Sequence, residues 1–218
     1  MTGSCFGFSR VLGSNRAFCP TCPTWLARLT RPACPCMLTL RDRIRPGVRV
    51  LFVGINPGMR SAEIGHHFAG YSNRFWKLLF ESGLVPERIG AEDDDRLPEW
   101  GYGMTNVIAR PTPGIDTLRP EEYVAGVRTL RRKVRRWKPE VVAFVGVTVY
   151  RSVFGRRSAV PVTVGPQAER FEGARVFVLP NPSGRNANFT YAEMLDAYRS
   201  LAEFLRDRSP LGGPLVSV

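Results

Sequence analysis

The segment VRVLFVGINPG, residues 48–58, gives the strongest indication of the fold of this chain. Val48 to Val53 is dense in β-branched and apolar residues, as strands buried in parallel sheets are, and a polar loop stiffened by proline follows from Gly54 to Gly58. A similar strand and loop lie about 120 residues later, at Val176 to Leu179 and Asn181 to Gly184. Because parallel strands end along one edge of an open sheet, where ligands bind, we expect the two loops to share one pocket.

Outward from these strands, helices and strands alternate. The clearest helix begins near Thr117, has Pro120 in its first turn and ends at Lys138-Pro139. Val141 to Val145 predicts a buried strand, and Thr190 to Glu193 forms the capping box of a last helix. Weaker patterns predict strands at 104–109 and 160–164, helices after Ser72 and at 150–154, and loops at 54–70 and 86–102. The predicted fold class is therefore α/β, a three-layer α/β/α arrangement with a central, mainly parallel sheet.

Composition favours a folded protein with an anionic partner. The 218 residues are 44% hydrophobic and 23% charged, which are ordinary globular values. Thirty-one Lys and Arg against 19 Asp and Glu give a net charge of +12, which attracts polyanions such as nucleic acid, although a generally basic soluble protein would show the same balance. Seven basic residues on the helix after Pro120 either contact phosphate or form a solvated outer face.

The chain is predicted to divide into a leader at 1–36, a catalytic domain at 37–207 and a flexible tail at 208–218. All five cysteines lie in the Pro/Cys/Arg-rich leader, and we prefer an incidental leader to a zinc site because Cys34-Pro35-Cys36 is not the usual spacing. Met37 is a plausible physiological start. No apolar run is long enough to span a bilayer and no signal peptide is evident, so we expect a cytoplasmic, nucleoid-associated protein.

Three features of the first loop suggest chemistry. Asn56 is either a turn former or an amide that holds a water, since an amide cannot remove a proton at neutral pH. Phe68 and Tyr71 either pack in the core or form a wall on which a planar base stacks. Ser61 either binds a ligand edge or caps a turn. His66-His67 lacks a third ligand at a recognisable spacing, so we expect no metal.

The run Glu92-Asp93-Asp94-Asp95 is the one acidic cluster in a basic chain. A solvated loop is the simpler interpretation, because runs of like charge are usually exposed. The alternative is that one of these carboxylates assists the reaction.

A set of motifs resembles the mismatch-specific uracil-DNA glycosylases, the branch of the uracil-DNA glycosylase superfamily that includes thymine-DNA glycosylase. The resemblance covers roughly residues 37–207, in order. The motifs that carry it are Gly54-Ile55-Asn56-Pro57-Gly58, Ser61-Ala62, Phe68-Ala69, Asn73-Arg74-Phe75-Trp76-Lys77, Arg110-Pro111-Thr112 and Leu179-Pro180-Asn181-Pro182-Ser183-Gly184.

The resemblance implies a monomeric, cofactor-free enzyme that flips uracil, or a related modified base, out of mismatched double-stranded DNA and hydrolyses its N-glycosidic bond. It assigns Asn56 to positioning the attacking water and Phe68 to stacking on the flipped base. The remaining base pocket is assigned to Ile55, Ser61 and Asn181, and the wedge that enters the DNA to Pro182, Ser183, Gly184 and Arg185.

Two positions depart from the pattern of close relatives. Arg185 occupies the wedge position, where leucine is common, and Ala187 stands where relatives can carry an arginine that contacts the opposite guanine. We therefore expect broad tolerance of the opposite base. We also expect slow turnover, because Asn56 replaces the carboxylate of the fast uracil-excising branch.

Two other functional classes remain open. A non-catalytic DNA damage-binding module on the same fold would account for an amide in place of a base. A nucleotide-binding α/β protein fits less well, because Gly54 to Gly58 matches neither the Gly-x-Gly-x-x-Gly fingerprint nor a P-loop.

Overall fold

The computed structural model describes residues 39–156, 159 and 161–207. The leader with its cysteines, the Met37 start and the tail at 208–218 lie outside the described residues. Among the described helices, none is long and apolar enough to cross a membrane.

Five strands form one sheet in the order β2-β1-β3-β5-β4, in which β4 alone runs antiparallel to its neighbour. This confirms the predicted α/β class with a mainly parallel sheet. The strands are β1 (Val50–Gly54), β2 (Tyr102–Asn106), β3 (Val141–Val145), β4 (Gly165–Phe171) and β5 (Ala174–Leu179). The α-helices are α1 (Met59–Ile64), α2 (Phe75–Glu81), α3 (Pro120–Trp137), α4 (Val147–Phe154) and α5 (Tyr191–Arg206). Two 3-10 helices cover Ala91–Trp100 and Ile115–Thr117.

Alternation along the buried strands divides the core into two layers. In β1, Phe52 packs with α2 and α5 on one face, whereas Leu51 packs with α3 and α4 on the other. All five residues of β1 and of β3 are buried, so these central strands read as continuous apolar runs. The carboxyl ends of β1, β3 and β5 therefore lie side by side, at one edge of the sheet.

The structure corrects four predictions of secondary structure. The predicted loop at 54–70 contains α1, and the one at 86–102 contains a 3-10 helix. Ser72 does not cap α2, because the Oδ1 atom of Asn73 accepts the Phe75 N–H at 2.9 Å. The strand predicted at 160–164 is wrong over its described part, 161–164; the strand begins at Gly165 instead. As an exposed edge strand, β4 carries polar residues and so gives little apolar signal.

Candidate active site at the carboxyl edge of the sheet

A cleft of about 950 Å³ lies at this edge of the sheet. Both predicted loops line it, so the expected meeting of the two loops is confirmed. The predicted site residues in its walls are Ile55, Asn56, Ser61, Phe68, Asn181, Ser183 and Arg185. Pro182 and Gly184 do not line the cleft and serve instead to position the second loop. The catalytic and DNA-binding roles assigned to these residues stay predictions.

The loop after β1, residues 54–58, is tied to the segment that continues β2. The Gly54, Ile55 and Pro57 carbonyl oxygens accept hydrogen bonds from the N–H groups of 107, 108 and 112, at 2.9, 2.8 and 3.2 Å. A Cβ at position 54 would lie 2.6 Å from the Oδ1 atom of Asn106, so a larger residue than Gly54 would displace that side chain. The segment at 107–112 therefore fixes the backbone around Asn56 at several points.

The Asn56 amide has a defined orientation. Its Nδ2 atom lies 3.1 Å from the Pro57 carbonyl oxygen and 3.3 Å from that of Arg110. Because a carbonyl oxygen only accepts hydrogen bonds, the NH₂ group must face these two atoms. The Oδ1 atom then accepts no hydrogen bond from any described residue and is available to a ligand or a water in the cleft.

Thr112 completes this arrangement, and the sequence reasoning did not single it out as a site residue. Its Oγ1 atom accepts a hydrogen bond from Asn56 Nδ2 at 2.7 Å and donates one to the Gly114 carbonyl oxygen at 2.6 Å. The hydroxyl proton is thus directed away from the amide, which leaves an oxygen lone pair for Nδ2. The signal that could have found it is its place in the motif Arg110-Pro111-Thr112.

Phe68 is both a core contact and a wall of the cleft. Its ring stacks on Phe75 with centroids 4.0 Å apart and an interplanar angle of 16°. The backbone at Phe68 has φ of 52°, in the region that side chains rarely adopt. Ser61 is buried, and its Oγ accepts the Ala69 N–H at 3.0 Å. This hydrogen bond holds the backbone directly after Phe68. Ser61 therefore supports the position of the ring from inside the wall.

Tyr71 does not line the cleft, so its predicted place in a wall for the flipped base is wrong. Its side chain is 89% exposed. The residue follows Gly70 in the short segment between Phe68 and α2, and this segment carries it past the wall to the outer rim.

Asp94 is buried, so the interpretation of the acidic run as a wholly solvated loop is wrong at this position. Its Oδ1 accepts a hydrogen bond from Arg43 Nε at 2.7 Å and lies 3.1 Å from His66 Nδ1, whereas Oδ2 accepts the His67 N–H at 2.8 Å. Both oxygens are therefore occupied, and Asp94 is absent from the cleft lining. The carboxylate supports the turn that precedes Phe68.

The two histidines belong to this buried support. His67 is buried and its Nε2 lies 2.9 Å from the Arg41 carbonyl oxygen. Burial lowers the pKa of His67, because the charged imidazolium would lose its hydration there. Within the part of the chain that the structure describes, no group of three or more His, Cys, Asp or Glu side chains is placed to hold a metal ion.

The loop after β5, residues 181–186, is held by its own side chains and by one neighbour. Asn181 Oδ1 accepts the Ser183 N–H at 3.1 Å, and Ser183 Oγ accepts the Arg185 N–H at 3.3 Å. The Pro182 carbonyl oxygen accepts the N–H of Arg74 at 2.9 Å. The Arg185 side chain is exposed and pairs with no acidic group among the described residues, so its charge is available to a ligand.

Gly184 brings this loop against the segment before α2. A Cβ at position 184 would lie 2.5 Å from Ser72 Cβ and 2.7 Å from the Ser72 carbonyl oxygen. No side chain fits in that space, so the glycine permits the close contact that joins the two segments.

Part of the basic character of α3 is used within the protein. Arg131 and Arg135 both pair with Glu172, and Lys133 pairs with Asp42 at 2.7 Å. These contacts favour the interpretation of α3 as an outer, sheet-covering helix over one in which all seven basic residues meet phosphate.

Comparison with known proteins agrees with this architecture. The model of the uracil DNA glycosylase superfamily matches residues 42–205. The solution NMR structure of a Methanosarcina acetivorans protein, provisionally assigned as a uracil DNA glycosylase, is similar with a TM-score of 0.54, covering 77% of this chain and 97% of that one at 16% identity. At that identity the likeness establishes the fold alone, whereas the family match covers most of the sequence. The chain belongs to the uracil DNA glycosylase superfamily.

Proposed function

We propose that this protein is a monofunctional DNA glycosylase of the mismatch-specific branch. It flips uracil out of mismatched duplex DNA into the cleft and hydrolyses the N-glycosidic bond, leaving an abasic site. The observation that carries the proposal is the Asn56 amide, whose Nδ2 is held by Thr112 and two carbonyl oxygens while its Oδ1 remains free at the cleft.

In this reaction the bond between the base and C1′ of the deoxyribose breaks, and the base leaves with the bonding electrons. A water molecule adds its oxygen to C1′, and its proton ends on the departing base or in solvent. Asn56 Oδ1 accepts a hydrogen bond from that water and fixes its direction of attack. An amide takes no proton at neutral pH, so the rate enhancement comes from positioning and from stabilising the leaving base.

Phe68 supplies the stacking surface for the extruded base. One face of its ring already rests on Phe75, so the ring loses little freedom when a base stacks on the side towards the cleft. Stacking of a base on an aromatic ring contributes about 1–3 kcal/mol. That is comparable with the few kcal/mol needed to unstack a base, which is least at a mismatch.

Arg185 fits the role of wedge on the second loop. Its exposed guanidinium can stack on bases and bind phosphate once the uracil has left the helix. The adjacent backbone is held by Ser183 and by the contact of Gly184 with Ser72, so the Arg185 side chain extends from a fixed position.

The same arrangement predicts slow chemistry. General-base assistance is worth roughly 10²–10⁴ in rate, and no carboxylate among the described residues lines the cleft. Asp94 cannot substitute, because Arg43 and the turn at His66 and His67 occupy its oxygens.

Single-turnover cleavage tests the proposal. Duplexes carrying uracil, thymine or an etheno base opposite each of the four bases are incubated with excess protein, wild type beside Asn56→Ala, and strand scission after alkali reports abasic sites. We expect uracil excision by the wild type and a large loss in the variant. Tight binding to the same duplexes with no excision of any base would replace the proposal by the non-catalytic damage-binding module.

A further inference from the structure

Tyr71 is the most exposed large hydrophobic residue among those described, at 89% of its possible surface. Neither packing in the core nor the cleft accounts for it. A single exposed hydrophobic side chain is common on a protein surface, so exposure alone assigns Tyr71 no role, whereas a ring that is also fixed beside a binding cleft is suited to a contact with the ligand.

The ring is held in place despite this exposure. The guanidinium carbon of Arg60 lies 3.8 Å from the ring centroid, and Arg60 Nη1 donates a hydrogen bond to the Tyr71 hydroxyl at 2.7 Å. Arg60 is fixed in turn, because its Nε donates to the Ala69 carbonyl oxygen at 2.9 Å. The guanidinium thus lies against one face of the ring, and the other face is open to solvent.

The position of Tyr71 relates it to the proposed wedge. Ser72 contacts Gly184, and these two residues are the chain neighbours of Tyr71 and Arg185. The hydrogen bond from the Arg74 N–H to the Pro182 carbonyl oxygen holds the same two segments together. Tyr71 and Arg185 therefore flank one tight contact on the rim. Phe68 lies three residues before Tyr71, so their Cα atoms are at most about 11 Å apart.

We propose that Tyr71 stacks on the face of the base next to the flipped nucleotide, which flipping exposes outside the pocket, and together with Arg185 holds the duplex open. The inference rests on the proposed function and deepens it, since Phe68 takes the extruded base and Tyr71 its neighbour. The guanidinium behind the ring places a positive charge close to the phosphates of the same strand. Stacking on tyrosine does not discriminate between bases, which suits a chain that lacks an arginine at position 187.

The test uses a duplex that the enzyme cannot cleave. It carries 2′-fluoro-2′-deoxyuridine opposite guanine, with 2-aminopurine as the adjacent base on the same strand. Fluorescence of 2-aminopurine reports its stacking, and titration gives the dissociation constant. The proteins are wild type, Tyr71→Ala, Tyr71→Phe and, as a control for loss of an exposed apolar side chain elsewhere, Val124→Ala on α3, which is 54% exposed.

We expect Tyr71→Ala to weaken binding about tenfold and to change the fluorescence of the bound 2-aminopurine, as loss of one stacking contact would. The dissociation constant of Tyr71→Phe, which keeps the ring, should stay within about threefold of the wild-type value. That of Val124→Ala should equal the wild-type value.

Equal affinity and equal fluorescence for wild type and Tyr71→Ala would overturn the inference. So would a loss in Tyr71→Phe as large as in Tyr71→Ala, since the hydroxyl contact with Arg60 and not the ring would then matter. The proposed function fails separately: if the wild type binds the duplex in a Tyr71-dependent way but excises no uracil, the stacking contact stands without the glycosylase.

Discussion

The two loops that form the cleft are held in different ways. The loop at 54–58 is bonded along its length to the continuation of β2, and its Asn56 side chain is fixed by Thr112 and by carbonyl oxygens from two residues. The loop at 181–186 is held chiefly by its own side chains, with one hydrogen bond to Arg74 and the packing of Gly184 on Ser72.

This difference matches the work that we propose for each loop. A group that must place a water molecule gains from fixed geometry, since a displacement of about 1 Å can cost 10²-fold in rate. A residue that enters DNA of any sequence needs an exposed side chain on a well-held backbone. Arg185 has an exposed side chain, and its N–H is bonded to Ser183 Oγ. Changes in the first loop should therefore alter the chemical step, and changes in the second should alter engagement with DNA.

The largest effect is expected from Asn56→Ala. Loss of the amide that orients the water should lower the single-turnover rate of uracil excision by about 10²–10³-fold, with affinity for the non-cleavable duplex nearly unchanged. Asn56→Asp should not restore the rate, because a carboxylate oxygen would face the Pro57 and Arg110 carbonyl oxygens in place of an N–H donor. Parallel loss of affinity and rate in Asn56→Ala would contradict the division between the loops.

Gly184→Ala should come next. The new Cβ would meet the Ser72 side chain and carbonyl oxygen at 2.5–2.8 Å, and overpacking of this kind costs about 1–3 kcal/mol. We expect affinity for the non-cleavable duplex to fall about 10–100-fold as the loop is displaced. The double variant Gly184→Ala/Ser72→Gly removes the side-chain part of the clash and should recover part of the affinity, whereas Ser72→Gly alone should stay near wild type. Absence of any recovery would show that this contact does not position the wedge.

A smaller effect is expected at Arg185, the exposed end of the second loop. Arg185→Ala should weaken duplex binding about threefold to tenfold, since one stacking and phosphate contact is lost. Because the methyl side chain of Ala187 cannot form hydrogen bonds with a guanine, excision rates on U·G and U·A duplexes should agree within about threefold in both proteins. A hundredfold preference of the wild type for U·G would reject this expectation.

The smallest effect concerns a tether behind the first loop. Two hydrogen bonds of 2.8 Å join Arg110 to Glu122 on α3. This contact is the largest of several causes that lower the pKa of Glu122 to about 2. The carboxylate binds a proton more readily in the unfolded chain, where its ordinary pKa is 4.5. Its contribution to stability is therefore complete above pH 4.5 and is lost as the pH falls towards about 2.

Thermal unfolding of wild type and Glu122→Gln measures that contribution. The difference between their midpoints should be constant from pH 5 to 8 and should shrink below pH 4.5, while excision at neutral pH changes by less than about threefold because neither side chain lines the cleft. A difference that grows on acidification would have the wrong sign for a lowered pKa.

Local signals allowed much of the fold to be predicted. Local signals encode the apolar runs of β1 and β3, the end of α3 at Lys138 and the capping box at Thr190, and the structure has all of them, although α3 begins at Pro120 and not at Thr117. The meeting of the two loops followed from a general rule about parallel sheets. Helix α1 was missed because it is six residues long and carries Ser61 and Glu63 among its apolar residues.

Contacts distant in sequence were the part that could not be predicted. Thr112 meets Asn56 across 56 residues, and Asp94 meets Arg43 across 51, so no local pattern announces either contact. Tyr71 was misplaced for a related reason: its spacing from Phe68 suggests one shared wall, but the intervening segment has irregular backbone, and only Phe68 lines the cleft.

The contact of Gly184 with Ser72 has a consequence for how lesions are found. Two segments more than a hundred residues apart in sequence behave as one stiff lip, which is already assembled before any nucleic acid arrives. An induced fit of the protein is then minor, and most of the deformation during the search falls on the DNA. Base pairs that open easily on their own would be sampled first, so the weakness of the helix governs how soon a site is engaged, whereas the excision rate on bound duplex is set at the loop of residues 54–58.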